Sequence, residues 1–218
     1  IWVVAETTSQ GLAHVTLEML GKVRELTQFT KSEVVAVLIS SSPDAAVEEL
    51  ATQGADRVLT MDNSQLGPVF GRAVGASLAE VVSKENPYAV LFAATADGRD
   101  LASRLAARLG LGLTGDAMDL EIDAEGRLVQ LKPALGGNVV APILSKTLLN
   151  PVTIRPGLLT PAVSEPGATA TVEQIAAVPS DGPDLRLLKE VFQADQEGLL
   201  LANAAVVVGI GMGVGGLE

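Results

Sequence analysis

Four strand–helix alternations within the first half of the chain constrain its fold more than any other feature. Aliphatic runs at 1–5, 34–39, 57–61 and 88–94 each precede a segment whose apolar residues recur at helical spacing. Residues 11–29 carry Leu12, Val15, Leu20, Val23 and Leu26. Pro43 suits a first helical turn and Gly54 a helix end, which predicts a helix over 43–53. Residues 67–84 place Val69, Phe70, Val74, Leu78 and Val81 on one side, and 100–109 repeat Leu101, Leu105 and Leu109 ahead of Gly110. Such an alternation implies right-handed crossovers and a mainly parallel, doubly wound α/β sheet of Rossmann type.

Composition agrees. Of 218 residues, 48 % are hydrophobic, and only one Trp, one Tyr and four Phe are present. The core must therefore be built from Ala, Val, Leu and Ile, as in buried parallel sheets. A net charge of −11 argues against nucleic acid or an anionic membrane surface as partner. The chain has no Cys and a single His, His14, so disulfides, thiolate metal sites and multi-His metal sites are excluded within it. No apolar stretch approaches the ~20 residues of a membrane-spanning helix, and no secretory signal is visible. The expectation is a soluble cytoplasmic protein, or a mitochondrial matrix protein in a eukaryote.

Near Leu113 the pattern changes. Residues 120–122, 127–135 and 138–144 read as strands, with Gly136-Gly137 as a hairpin signal, and 151–155 and 169–176 as further short strands. This β-rich excursion is expected to be antiparallel. Pro156, Pro161, Pro166, Pro179 and Pro183 mark 156–184 as an irregular connection. The expected organisation is an α/β domain over 1–160, a linker over 161–202, and over 203–218 the first strand and glycine-rich turn of a second, truncated domain. That last stretch reads Val206-Val207-Val208-Gly209-Ile210-Gly211-Met212-Gly213-Val214-Gly215-Gly216. A β-branched run opening into glycines is how a nucleotide-binding α/β unit begins, because glycine lets backbone approach a phosphate. The run lacks the Lys-Ser/Thr ending of a phosphate-binding loop and no helix follows it.

Several segments together resemble the α subunit of an electron transfer flavoprotein. The fullest is 88–106, with Gly98-Arg99-Asp100-Leu101 between a strand and an Arg104-Leu105-Ala106 helix. Gly115-Asp116, the stretch from Pro133 to Ala141 with Gly136-Gly137-Asn138, Val152-Thr153-Ile154-Arg155-Pro156-Gly157 and the terminal valine–glycine run follow in the family's order. The resemblance implies an N-terminal α/β scaffold that packs on a β subunit. It also implies FAD held by a following domain, and electrons passed from dehydrogenases to a quinone reductase or similar acceptor. On that basis 203–218 begins the FAD domain, and Gly211, Met212 and Gly213 are its candidate cofactor-binding residues here. The family's turn has Arg where this chain has Met212, and methionine cannot hydrogen-bond a flavin ring nitrogen as a guanidinium does. FAD is expected to be absent from this stretch on its own. The competing reading is a stand-alone adenine-nucleotide module using the carboxyl ends of the first and fourth strands. Ala5-Glu6-Thr7-Thr8 disfavours it, having a carboxylate and no glycine.

No catalytic or metal-binding residues are expected. Thr95 to Asp100 can form an anion or partner site, with Gly98 and Arg99, or can simply cap a helix through Thr95 or Asp97. Ser40-Ser41-Ser42 allows the same pair of readings. His14 has no evident nucleophile partner, Asp116 and Asp119 suit a turn better than a paired acid site, and Arg104 and Arg108 share a solvated helix face.

Overall fold

A computed structural model describes residues 1–64, 71–178, 188–189, 191, 196–202 and 204–215. Its centre is a parallel sheet of seven strands: β1 (Trp2–Ala5), β4 (Val35–Ile39), β5 (Arg57–Met61), β6 (Ala89–Ala93), β7 (Thr114–Ala117), β11 (Asn150–Ile154) and β12 (Thr171–Ile175). They lie in the order β12-β5-β4-β1-β6-β11-β7. A short ribbon, β2 (Thr7–Thr8) with β3 (Gly11–Leu12), follows β1. β8 (Asp119–Ile122), β9 (Leu128–Ala134) and β10 (Val139–Leu144) form a separate antiparallel sheet.

Both faces of the parallel sheet are covered, so its strands are apolar on both sides. Along β1, Val3 points to one core layer while Trp2 and Val4 point to the other; β4 and β6 alternate in the same way. Helix α1 (His14–Thr30) supplies Met19, Leu20, Val23 and Leu26 to the first layer, and α2 (Asp44–Thr52) supplies Leu50. Helices α3 (Arg72–Glu85) and α4 (Ala96–Leu109) supply Val74, Leu78, Val82, Leu101 and Leu105 to the second. Each such fully buried side chain contributes roughly 1.5–3 kcal/mol before entropy is counted.

The expected doubly wound sheet is thus present, and the helix over 67–84 is seen from Arg72; residues 67–70 lie outside the described ones. Other expectations need revision. The antiparallel excursion is a sheet of its own, whereas β7 and β11 extend the main sheet in parallel. Helix α4 begins four residues ahead of Asp100, because the Thr95 hydroxyl caps it. The domain also runs past residue 160. Segment 155–170 is no loose linker but a strap crossing α1 and α2 to deliver β12 alongside β5. The strap is fastened where Glu18, 1 % exposed, accepts the Gly157 amide at 2.9 Å, where Ala162 N donates to Leu17 O at 3.0 Å, and where Glu165 N donates to Thr52 O at 2.7 Å.

Residues 1–186 form one compact unit and 187–218 a second. In the second, α5 (Gln196–Ala202) was not expected. The expected strand from about 203 is not formed at 204–211. A strand exists by pairing, and no described strand lies beside it; Val206 and Val208 are 80 % and 79 % exposed.

Gly21 marks where the strap presses on α1. A Cβ there would lie 2.4 Å from Thr160 O and 2.8 Å from Ala162 N, both backbone atoms. Gly21→Ala should therefore destabilise the domain by about 1–3 kcal/mol, although alanine is the better helix former. Urea unfolding of the two proteins checks this; equal stability would show that the strap does not bear on the helix.

Candidate functional site

Chain order reverses between β1 and β6. From β1 the chain winds outward through β4 and β5, then returns to place β6 on the other side of β1. The carboxyl ends of these two strands flank the crevice in which open α/β sheets receive ligands. In this chain Glu6 leaves β1 at that point and Thr95 leaves β6. The Thr95 hydroxyl donates to Glu6 Oε1 at 2.6 Å and accepts the Gly98 amide at 3.0 Å. Glu6 is held from behind as well, its amide donating to Thr16 Oγ1 at 2.9 Å. Gly98 serves packing rather than ligand approach, since a Cβ would fall 2.1 Å from Ala93 O.

The remaining crevice, about 290 Å³, is lined by Glu6, Thr7, Ser40, Ser41, Asn63 and Asp97 among its polar residues, with no cation among the described lining residues. Burial pushes the Glu6 carboxyl above the usual carboxylate range; the Thr95 hydroxyl pulls it back and Asp97 pushes it further up. Two carboxylates in a phosphate position repel the ligand that the fold would otherwise accept. The Ser40 hydroxyl accepts the Ser42 amide at 3.0 Å, and no side chain caps α2.

A second cluster gathers the carboxyl ends of β6, β11 and β7. Arg155, after β11, donates to both carboxylate oxygens of Asp116, at 3.2 Å through Nε and more closely through Nη2. Arg99, in the first turn of α4, reaches the same carboxylate at 3.5 Å. Asp116 has φ +65°, and its amide donates to Thr153 Oγ1 at 2.8 Å. The Arg155 hydrogen bonds hold its carboxyl below the usual range, with the Arg99 charge adding to the effect. Thus Gly98-Arg99-Asp100, Gly115-Asp116 and Thr153-Ile154-Arg155, remote in sequence, meet at one place. Two guanidiniums share one carboxylate there and leave a local excess of positive charge on an acidic chain.

Other candidates separate. Asp119 pairs with Lys22 at 2.8 Å, well apart from Asp116 in role, and His14 Nδ1 lies 2.8 Å from Glu18 Oε1. Arg104 pairs with Asp100 at 2.6 Å along α4. Gly211 and Gly213 are exposed, Met212 opens a 3-10 turn over Met212–Val214, and a Cβ at Gly209, Gly211 or Gly213 would meet nothing within 4 Å. The glycine run therefore forms no cradle, and the described residues do not by themselves fit a flavin. Among the described residues no group of three or more His, Asp or Glu is placed to hold a metal, and no helix is long and apolar enough to cross a membrane.

The third feature lies on the small sheet. Its outward positions pair Leu144 with Val129, Pro142 with Leu131 and Val140 with Pro133. All six are apolar; Val140 is 47 % and Leu144 43 % exposed, and Glu121 opposite Val129 borders them. Alternation along a sheet with one face in solvent should put polar residues there. Sequence reading placed these strands but missed this, although the uninterrupted 139–144 run carried the signal.

Comparison with known proteins gives one family. Residues 1–180 match the profile described as "Electron transfer flavoprotein domain". Over 217 residues the chain is 32 % identical to an electron transfer flavoprotein subunit alpha of Thermoanaerobacterium thermosaccharolyticum, covering 99 % of this chain and 66 % of that one. The corresponding protein of Clostridium acetobutylicum is 33 % identical, covering 100 % and 66 %. The subunit LctC of a lactate dehydrogenase (NAD(+),ferredoxin) of Acetobacterium woodii is 32 % identical, covering 94 % and 49 %. The chain thus spans just under two thirds of the first two relatives.

Two outcomes follow from the crevice. The folded Glu6 pKa lies above its unfolded value, so ionising it favours unfolding, and the cost grows as pH rises from the unfolded pKa through the folded one. Glu6→Gln should therefore be more stable than the parent at neutral pH, with the advantage vanishing on acidification; melting curves across pH check this. Calorimetry with AMP and ATP should show no tight binding, and micromolar ATP affinity would restore the nucleotide-module reading.

Proposed function

This chain belongs to the electron transfer flavoprotein family, and we propose that it is the N-terminal region of the α subunit, a scaffold that packs on a β subunit and positions FAD. The observation that carries this reading is the apolar outer face of the small sheet. Three facing pairs of apolar side chains in partial contact with water are a surface built to be covered. The relatives are named as subunits, and the partner subunit is the occupant such a face suits. The aliphatic sheet behind it is rigid, so a docked partner would be held in a fixed orientation.

The division of labour within the chain supports the same reading. Its nucleotide crevice is lined by the carboxylates of Glu6 and Asp97, which repel a phosphate, so on this reading residues 1–180 contribute surface and rigidity rather than a cofactor pocket. FAD supplies the electron-carrying chemistry when bound, and the protein supplies placement and electrostatics. On this proposal FAD is held mainly outside this scaffold, with the segment from about 203 as the start of the FAD-binding domain. Gly211, Met212 and Gly213 then offer it backbone alone. Donors and acceptors would be dehydrogenases and a quinone reductase or similar protein. The Arg99–Asp116–Arg155 cluster, positive on a chain of net charge −11, suits an acidic patch on one of these partners.

The test is co-purification. The full-length chain expressed with its β subunit should yield a yellow heterodimer with a flavin absorption spectrum; a colourless product would overturn the reading. Val140→Asp or Leu144→Asp should weaken subunit association by roughly 100-fold while leaving the fold intact, since each places a charge in a desolvated apolar contact. Sedimentation analysis measures this, and unchanged association would remove the small sheet from the interface.

A further inference from the structure

Among the described residues two buried side-chain oxygens have no hydrogen-bond partner, Gln53 Oε1 and Gln130 Oε1, and only Gln130 adjoins the small sheet. Gln130, in the middle of β9, is 1 % exposed and faces inward opposite Leu120 and Ile143. Its Oε1 accepts no hydrogen bond. Buried acceptors are nearly always satisfied, so an orphan of this kind points to a donor that arrives from elsewhere. It lines a cavity of about 360 Å³ between the small sheet and the amino ends of β7 and β11. The walls are otherwise mainly apolar, with Leu113, Ile143, Leu144 and Pro151. Two of the three lining hydroxyls are engaged with each other and the backbone: Ser145 Oγ and Thr147 Oγ1 are 2.8 Å apart, and Thr147 Oγ1 donates to Leu149 O at 2.8 Å. Exposed Lys146 also lines the cavity, and no ion pair holds it among the described residues.

We infer that this cavity is the anchor socket of the subunit interface, taking one aromatic side chain with a neutral donating tip, tyrosine or tryptophan, from the partner subunit. The inference rests on the docking role proposed above and adds the contact that fixes its register. Size admits an aromatic ring, the apolar walls match its body, and a turn of the Gln130 side chain, whose Oε1 is otherwise sealed from water, presents that oxygen to the hydroxyl or indole N–H of the tip. Lys146 disfavours a lysine or arginine tip. Leu144 belongs both to the socket wall and to the outer apolar face, so the two surfaces are continuous. Aromatic anchors seated in a desolvated pocket are the usual centres of binding energy in such interfaces.

The test uses Gln130→Leu and the near-isosteric Gln130→Met in the full-length chain. Both should leave the melting temperature of the uncomplexed chain unchanged or raised, since they delete an unsatisfied acceptor. Both should weaken association with the β subunit about tenfold, the effect of one lost buried hydrogen bond. Unchanged association would overturn the inference and leave a trapped water as the acceptor's partner. A loss of affinity matched by a fall in melting temperature would overturn it too. In the unsubstituted chain, the Gln130 side-chain amide resonances should shift on complex formation; unmoved resonances refute the socket without any substitution. Should Val140→Asp leave association intact while these resonances move, the outer-face reading fails and the socket stands.

Discussion

Everything in this domain depends on β1 being paired on both sides by parallel strands. Trp2 to Ala5 align with Val35 to Leu38 on one side, and Trp2 and Val3 align with Val90 and Leu91 on the other. A strand in that position exposes neither face to water, so its residues must be apolar without alternation, and helices must arrive from both sides. The same geometry creates the crevice between β1 and β6. Whether that crevice is used is then decided by very few side chains. Here Glu6 and Thr95 join across it, and Asp97 adds a second negative charge.

The family fold and its apparent purpose therefore diverge within residues 1–186. A doubly wound sheet ordinarily invites a nucleotide; this one lines the opening with two carboxylates and presents other surfaces. One is apolar, on the small sheet. Another is the guanidinium pair around Asp116. The two differ in what they can give a partner: buried apolar area for lasting attachment, and unscreened charge for orientation during brief encounters.

Much of this was legible in the sequence, and the failures have physical causes. The parallel strands were readable because continuous aliphatic runs have few other uses in a chain with so few aromatics. Thr95 was one of two capping candidates, and it does cap α4; the helix start was nevertheless placed four residues late, because the apolar periodicity begins only at Leu101. From residue 161 the strap was read as linker because Pro161 and Pro166 interrupt it; its anchors, Glu18, Leu17 and Thr52, lie far away in sequence and leave no local trace. The Arg99–Asp116–Arg155 cluster was visible only as separate motifs, since no spacing rule joins a residue of α4, one of β7 and one just past β11. Gln130 gave no signal at all. A glutamine within a strand is ordinary until its neighbours are known to leave it unpaired.

The way β12 completes the sheet affects how the chain must be made. Thr60 and Glu173 are bonded neighbours although they stand 113 positions apart in the chain. During synthesis, β5 precedes its partner and waits with one row of amides and carbonyls open while three further strands of its sheet and the whole small sheet are translated. Until the strap is threaded over α1 and α2, the nascent chain carries a sticky margin. Its biogenesis should accordingly lean on chaperone shielding, or on speed of elongation, more than the stability of the finished domain would suggest.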